Sequence, residues 1–284
     1  MGEERAGERG EVLLQTTGMA TGYGDARVVR DLSLTVRAGE VVGLLGPNGA
    51  GKTSTLLAMT GLLPVMAGDV NLYGESVVKR STHKLVRLGL VHVPEQRGLF
   101  PKLTVAENLA LRSRVRKQSV DPAYDYFPAL APLAKRLAGV LSGGEQQMVA
   151  LAGALVMKPK VLLVDELSLG LAPIIVEKLL PVLRRYADEE RCGVVLVEQH
   201  VRLALGIADS VVVLNHGEQT HAGPAAVLRE HPELLEASYL GASDPGGPAE
   251  PTEPVGAGAR AGGPSRATAA PIVLPSQSEK EHSS

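Results

Sequence analysis

The sequence predicts an α/β fold, a mainly parallel sheet flanked by helices, with a small helical insertion. Three observations carry this expectation. Short apolar runs at 40–45, 161–164, 194–197 and 211–214 alternate with longer segments able to form helices. The run Val161-Leu162-Leu163-Val164 is apolar without alternation, as a central parallel strand buried on both faces requires. The run at 40–45 leads into Gly46-Pro47-Asn48-Gly49-Ala50-Gly51-Lys52-Thr53 and then into Ser54-Thr55-Leu56-Leu57, the order strand, glycine-rich loop, helix.

Taken in order, residues 1–10 read as a flexible N-terminus and 12–17 as a strand. A turn at 22–25 carries Tyr23. Residues 32–36 alternate apolar and polar, as a half-buried strand does. After the loop helix, Gly61 and Pro64 stop the element, and 68–74 reads as a short strand and turn. Pro94 closes a strand at 90–93. Thr104 and Glu107 form a capping box for a helix reaching about 116. Asp121-Pro122 reads as a cap followed by proline at the first helical position. Residues 99–155 are thus expected to be a helical subdomain inserted between strands. Helices are expected at 173–188, 201–207 and 224–240, with a turn at His216-Gly217 and one more short strand. The main domain is expected to span 11–241. From 242 to 284 there is no aromatic residue and seven of the nineteen prolines, a composition expected to stay disordered.

Bulk properties exclude some functions. A formal net charge of −2 over 284 residues gives no basic excess, so nucleic acid is not an expected partner. The one cysteine, Cys192, forms no intrachain disulfide framework and reads as a small residue at a strand entrance. No apolar run reaches the roughly 18 residues of a membrane-spanning helix. The charged start, Met1 to Gly10, lacks the apolar core of a secretory signal. The chain is expected in the cytosol unless a partner holds it at a membrane.

The glycine-rich loop has the spacing of a phosphate-binding loop. Its glycines let successive N–H groups turn toward a phosphate, and the helix start adds partial positive charge. Lys52 is placed to reach phosphates and Thr53 to ligate Mg²⁺. The strand ending in Asp165 sets a carboxylate beside the loop, where it can hold the metal, and Glu166 can polarise a water. A second capping box, Ser142 with Glu145, encloses Gly143-Gly144 at a helix start.

With these motifs in this order, the chain from about 12 to 240 resembles the ATP-binding cassette (ABC) family. The resemblance implies a P-loop NTPase fold with an ABC-type core: a mainly parallel sheet plus an antiparallel β part. It implies ATP and Mg²⁺ as cofactors, held by Gly46, Pro47, Asn48, Gly49, Ala50, Gly51, Lys52, Thr53 and Ser54, with Thr53 and Asp165 toward the metal and Tyr23 stacked on adenine. It implies a signature segment, Ser142, Gly143, Gly144, Glu145 and Gln146, that serves the ATP of a partner cassette. The glutamine loop holds Glu95 where glutamine is usual and Gln96 one later; either is a candidate. Gln199 falls on the usual switch-histidine position and His200 follows it; both are candidates, with Glu166, for catalysis. Ala172 stands where many cassettes have a cross-interface Asp. Leu167 stands where proline usually follows the Asp-Glu pair, which is expected to loosen Glu166. The segments Pro94-Glu95, Ser168-Leu169-Gly170-Leu171-Ala172-Pro173 and Val197-Glu198-Gln199 resemble the second ATPase subunit of branched-chain amino acid importers. That branch implies a sister ATPase, two membrane permeases docked near Gly98-Leu99-Phe100 and, indirectly, an extracytoplasmic solute-binding protein. It places the chain on the cytoplasmic face of the membrane. The rival expectations are a soluble cassette switch acting on DNA or ribosomes, and a degenerate regulatory cassette.

Overall fold

The computed structural model describes residues 10–234. The expected tails and residues 235–240 lie outside those residues; within them the helix expected at 224–240 stops at Glu230, where His231 leaves the helical conformation. The described elements are β1 (Val12–Tyr23), β2 (Ala26–Arg37), β3 (Val41–Leu45), α1 (Lys52–Met59), β4 (Val65–Leu72), β5 (Glu75–Ser76), α2 (Thr82–Leu88) and β6 (Leu90–Val93). There follow α3 (Val105–Arg116), α4 (Asp121–Tyr126), two 3₁₀ turns, and α5 (Gly143–Val156). The chain then forms β7 (Val161–Asp165), α6 (Pro173–Glu190), β8 (Gly193–Glu198), α7 (Val201–Ile207), β9 (Ser210–Asn215), β10 (Glu218–Pro224) and α8 (Ala225–Glu230).

The strands run β5-β4-β1-β2-β10-β9-β3-β8-β7-β6. From β9 to β6 every pairing is parallel. β1, β2, β4 and β5 pair antiparallel, and β10 pairs antiparallel with β9. The α/β expectation therefore holds, with the antiparallel part joined at one side.

Burial on both faces explains the unbroken apolar strands. In β7, Leu162 and Val164 enter one core while Val161 and Leu163 enter the other; in β8, Val194 and Leu196 oppose Val195 and Val197 in the same way. The core that includes Leu162 packs helices α3, α5 and α6, and the core that includes Leu163 packs α1 against β1, β2 and β4.

Three local expectations change. β1 and β2 are much longer than their patterns implied, because register shifts interrupt the alternation. Helix α2 was not expected: Leu85 is its one buried residue, too little to set a periodic signal. Asp121 is not a cap; it lies inside α4, whose N-cap is Val120, and Ser119 Oγ accepts the Asp121 N–H at 3.2 Å.

Helices α3, α4 and α5 lie between β6 and β7 in the chain, although those strands are neighbours in the sheet. Thr104 Oγ1 accepts the Glu107 N–H at 3.2 Å, and Glu107 Oε2 accepts the Thr104 N–H at 2.7 Å. Both capping-box bonds are made, and burial of Val105 and Leu109 fixes the helix on its base. Thr104→Ala should therefore destabilise the protein by about 1 kcal/mol, read as a drop in Tm of roughly 2–4 °C in a thermal melt.

Candidate active site

The site forms where β3, β8 and β7 end together. Parallel register pairs Leu45 with Glu198 and Asp165 with Val197. The loop leaving β3, the acidic pair leaving β7 and the Glu198-Gln199 pair leaving β8 therefore emerge on one edge of the sheet. This is the edge beyond the carboxyl ends of the strands, where ligands of open α/β sheets bind.

The loop has a backbone only glycine allows at two points. Gly46 has φ 151°, and a Cβ there would stand 2.2 Å from the Leu214 carbonyl. Gly51 has φ 101°, and its Cβ would stand 2.6 Å from Val29. Both strand β9 and the antiparallel layer thus press on the loop from behind and shape it. Lys52 is 4% exposed. Its Nζ donates to the Gly46 and Pro47 carbonyls, each at 2.9 Å, and lies 3.9 Å from Glu166 Oε1. Burial pulls its pKa down from the usual lysine range, while Glu166, Asp165 and Glu198 oppose the shift.

Thr53 Oγ1 donates to Asp165 Oδ1 at 3.3 Å. Asp165 is buried, and desolvation pushes its pKa up to about 6. The Thr53 bond opposes that rise, and the nearby carboxylates of Glu166 and Glu95 add to it.

Glu166 adopts a left-handed backbone, φ 45°. Its N–H donates to the Val197 carbonyl at 3.0 Å, and its Oε1 accepts from Gln199 Nε2 at 2.8 Å. The Leu167 side chain, expected to loosen this arrangement, is wholly buried in the core, and Glu166 next to it bonds to Val197 of β8 and to Gln199 just after that strand. Of the two switch candidates, Gln199 reaches the acidic pair, while His200 is exposed at the start of α7.

Glu95 and Gln96 both sit in an exposed turn after β6. Glu95 is close enough to raise the pKa of Asp165; the Gln96 carbonyl accepts the Gly98 N–H at 2.7 Å. The signature segment stands apart. Among the described residues, no hydrogen bond or ion pair joins Ser142–Gln146 to the loop or the acidic pair. Ser142 is exposed, and its Oγ accepts the Glu145 N–H at 3.3 Å while Glu145 accepts from the Ser142 N–H at 2.7 Å. Tyr23, at the tip of the β1–β2 hairpin, is 55% exposed.

Two residues escaped the motif reading. Arg97 donates to Gln147 at 3.0 Å and to Gln146 at 2.8 Å, tying the turn after β6 to helix α5. Glu198, fully buried, accepts the Ser168 N–H at 2.9 Å and the Ser168 hydroxyl at 2.6 Å. The one signal available was a charged residue inside an otherwise apolar β8.

A family model described as ABC transporter matches residues 29–168. The chain is 37% identical over 234 residues to the high-affinity branched-chain amino acid transport ATP-binding protein BraG of Pseudomonas aeruginosa, covering 81% of this chain and 100% of that one. The chain belongs to the ABC transporter family. It is 32% identical to the lipopolysaccharide export system ATP-binding protein LptB of Escherichia coli, covering 80% of this chain and 97% of that one. A solved ATP-binding subunit of an ABC transporter superposes with a TM-score of 0.69 at 26% identity, covering 80% of this chain and 98% of that one. ABC cassettes hydrolyse ATP, and the chain is an ATPase of this type.

The cassette's donors fit a nucleotide with a hard cation. Thr53 and Asp165 offer oxygen ligands of the kind Mg²⁺ takes. The raised pKa of Asp165 marks a buried carboxylate whose charge a cation would stabilise. Its sign also sets a pH effect. A carboxyl whose folded pKa lies above its unfolded value favours the folded state as pH falls through about 6 toward 3.8 and disfavours it above that window. Asp165→Asn should therefore stabilise the nucleotide-free cassette at pH 7–8 by up to about 3 kcal/mol, a gain that fades on titration to pH 4. The same variant should lose Mg²⁺-dependent ATP turnover. Paired chemical denaturation curves across pH check the first effect, and a phosphate-release assay the second.

Proposed function

We propose that the chain is the ATP-binding and hydrolysing subunit of an importer for branched-chain amino acids, or related small hydrophobic or amide-bearing amino acids. The observation that carries this is the convergence of Lys52, Thr53, Asp165, Glu166 and Gln199 on one sheet edge, in a chain so similar to BraG. Lys52 would exchange its loop carbonyls for phosphate oxygens, and the loop amides would cradle them. Thr53 and Asp165 would hold Mg²⁺, which when bound neutralises charge developing on the transferred phosphoryl group. Glu166 would orient the attacking water, with the Gln199 amide fixing the carboxylate's rotamer. Glu95, whose charge acts on Asp165, or Gln96 beside it would face this centre from the turn after β6. Tyr23, exposed at the hairpin tip, is free to stack on adenine.

A second cassette would complete the site. Ser142 is exposed and Gly143-Gly144 are half-buried at the start of α5, where they would serve the partner's ATP, and they make no bond to their own loop. Among the described residues no helix is long and apolar enough to cross a membrane. Attachment to permease subunits at the cytoplasmic face would therefore use a surface groove. A suitable one of about 390 Å³ is lined by Leu57, Leu62, Leu85, Leu90, His92 and Arg112, and it reaches Pro94 and Gly98 at the start of the segment that leads to the exposed Phe100. An extracytoplasmic binding protein would present the solute to those permeases. Similarity to LptB favours a second reading, a cassette that powers lipopolysaccharide export.

Affinity purification from gently solubilised native membranes separates these readings. The import reading expects two permeases and a sister cassette, with uptake of branched-chain amino acids after reconstitution. Recovery of a lipid-export assembly, or of ribosomal or DNA-binding proteins, would overturn it. Within the recovered complex, Glu166→Gln should lower ATP turnover by about 100-fold or more and trap an ATP-bound cassette dimer on size exclusion. Unaltered turnover would show that Glu166 does not position the water.

A further inference from the structure

Strand β8 ends in three successive contacts to the segment after β7. The Val197 carbonyl accepts the Glu166 N–H at 3.0 Å, the Glu198 carboxylate grips Ser168, and the Gln199 amide holds the Glu166 carboxylate at 2.8 Å. Glu198 is the unusual member. It is the one charged residue of a strand buried along its whole length, and it is 0% exposed. A carboxylate in such a place carries a large desolvation cost unless its lone pairs are satisfied. Here one oxygen takes the Ser168 amide and the other takes the Ser168 hydroxyl, so the group is committed to one loop residue and makes no bond to the phosphate loop.

That loop residue sits between two others of different character. Two positions before it stands Glu166, in a left-handed backbone that glutamate adopts only under constraint. Immediately after it, Leu169 is 48% exposed and Gly170, at φ 69°, would meet nothing with an added Cβ. The loop is thus pinned at Ser168 and open at its tip. A polar cavity of about 130 Å³ separates the tip from the strand end, bounded by Glu166, Ser168, Leu169, Gly170, Glu198 and Gln199. A push on the tip has room to move it and is resisted at Ser168.

We infer that Glu198 is a positioning residue: by clamping Ser168 it makes the 168–171 loop and Glu166 one mechanical unit, so contact at the exposed tip sets the water-orienting carboxylate. The inference rests on the proposed role of Glu166. It assigns Glu198 no contact with substrate.

The test uses the cassette in complex with its co-purified permeases, comparing wild type, Glu198→Ala, Glu198→Gln, Ser168→Ala and Glu166→Gln for kcat, KM and ATP binding. A glutamine at 198 can still accept the Ser168 N–H and donate to its hydroxyl, so it preserves the clamp; alanine abolishes it. Glu198→Ala should lower kcat by about tenfold or more, as a misplaced catalytic group does, with ATP affinity held within about twofold. Glu198→Gln should restore kcat to within about threefold of wild type, and Ser168→Ala, which removes one bond of two, should fall between. Ser168→Ala carries the test if Glu198→Ala does not fold. Normal kcat in Glu198→Ala, or in Ser168→Ala when it stands in, overturns the inference. So does a parallel loss of kcat and ATP affinity that Glu198→Gln fails to relieve, the behaviour of a residue needed for folding alone. If Glu166→Gln leaves turnover unchanged, the functional reading itself falls and takes this inference with it. If Glu166→Gln abolishes turnover while Glu198→Ala does not alter it, only the clamp is wrong.

Discussion

The parallel pairing of β8 between β3 and β7 is the constraint on which the site depends. One residue of slip in either pairing would turn every strand side chain to the opposite face. Leu162 would change cores with Leu163, and Glu198 would leave Ser168. The two buried faces therefore fix the register, and the register delivers the loop, the acidic pair and Gln199 to a common edge. Packing energy spent in the core reappears as precision at the edge, where few of the contacts are strong on their own.

The edge is electrostatically unfinished without a ligand. Lys52 is buried with its charge directed at loop carbonyls, and its distance to Glu166 is 3.9 Å. Asp165 is desolvated with one hydroxyl as its donor, and two other carboxylates stand near it. A polyanion carrying a divalent cation resolves both problems together: phosphate oxygens give Lys52 a stronger partner, and the cation gives Asp165 one. Nucleotide binding is thereby coupled to the protonation and stability of the cassette, not merely added to them.

Much of this was legible in the sequence because the central strands are buried on both faces and read as continuous apolar runs. The glycine-rich loop was legible because its backbone excludes side chains at Gly46 and Gly51. The capping boxes of α3 and α5 are local, and four residues suffice to see them. What stayed hidden depends on tertiary register or on weak local signals. Helix α2 buries only Leu85. The hairpin β1–β2 breaks its own alternation with bulges. The Glu198–Ser168 clamp joins residues 30 apart, and no local pattern announces it. The choice between Gln199 and His200 as the partner of Glu166 likewise required coordinates, since one residue decides whether a side chain faces the site or solvent.

The most direct test of the central claim is calorimetric titration of the wild-type cassette with ATP, in Mg²⁺ and in chelator, at pH 7.5. The account predicts tighter binding with Mg²⁺, because the buried Asp165 carboxylate gains a cation only then. Equal affinity in Mg²⁺ and in chelator would contradict it, and would mean that Asp165 and Thr53 are not the metal-holding pair.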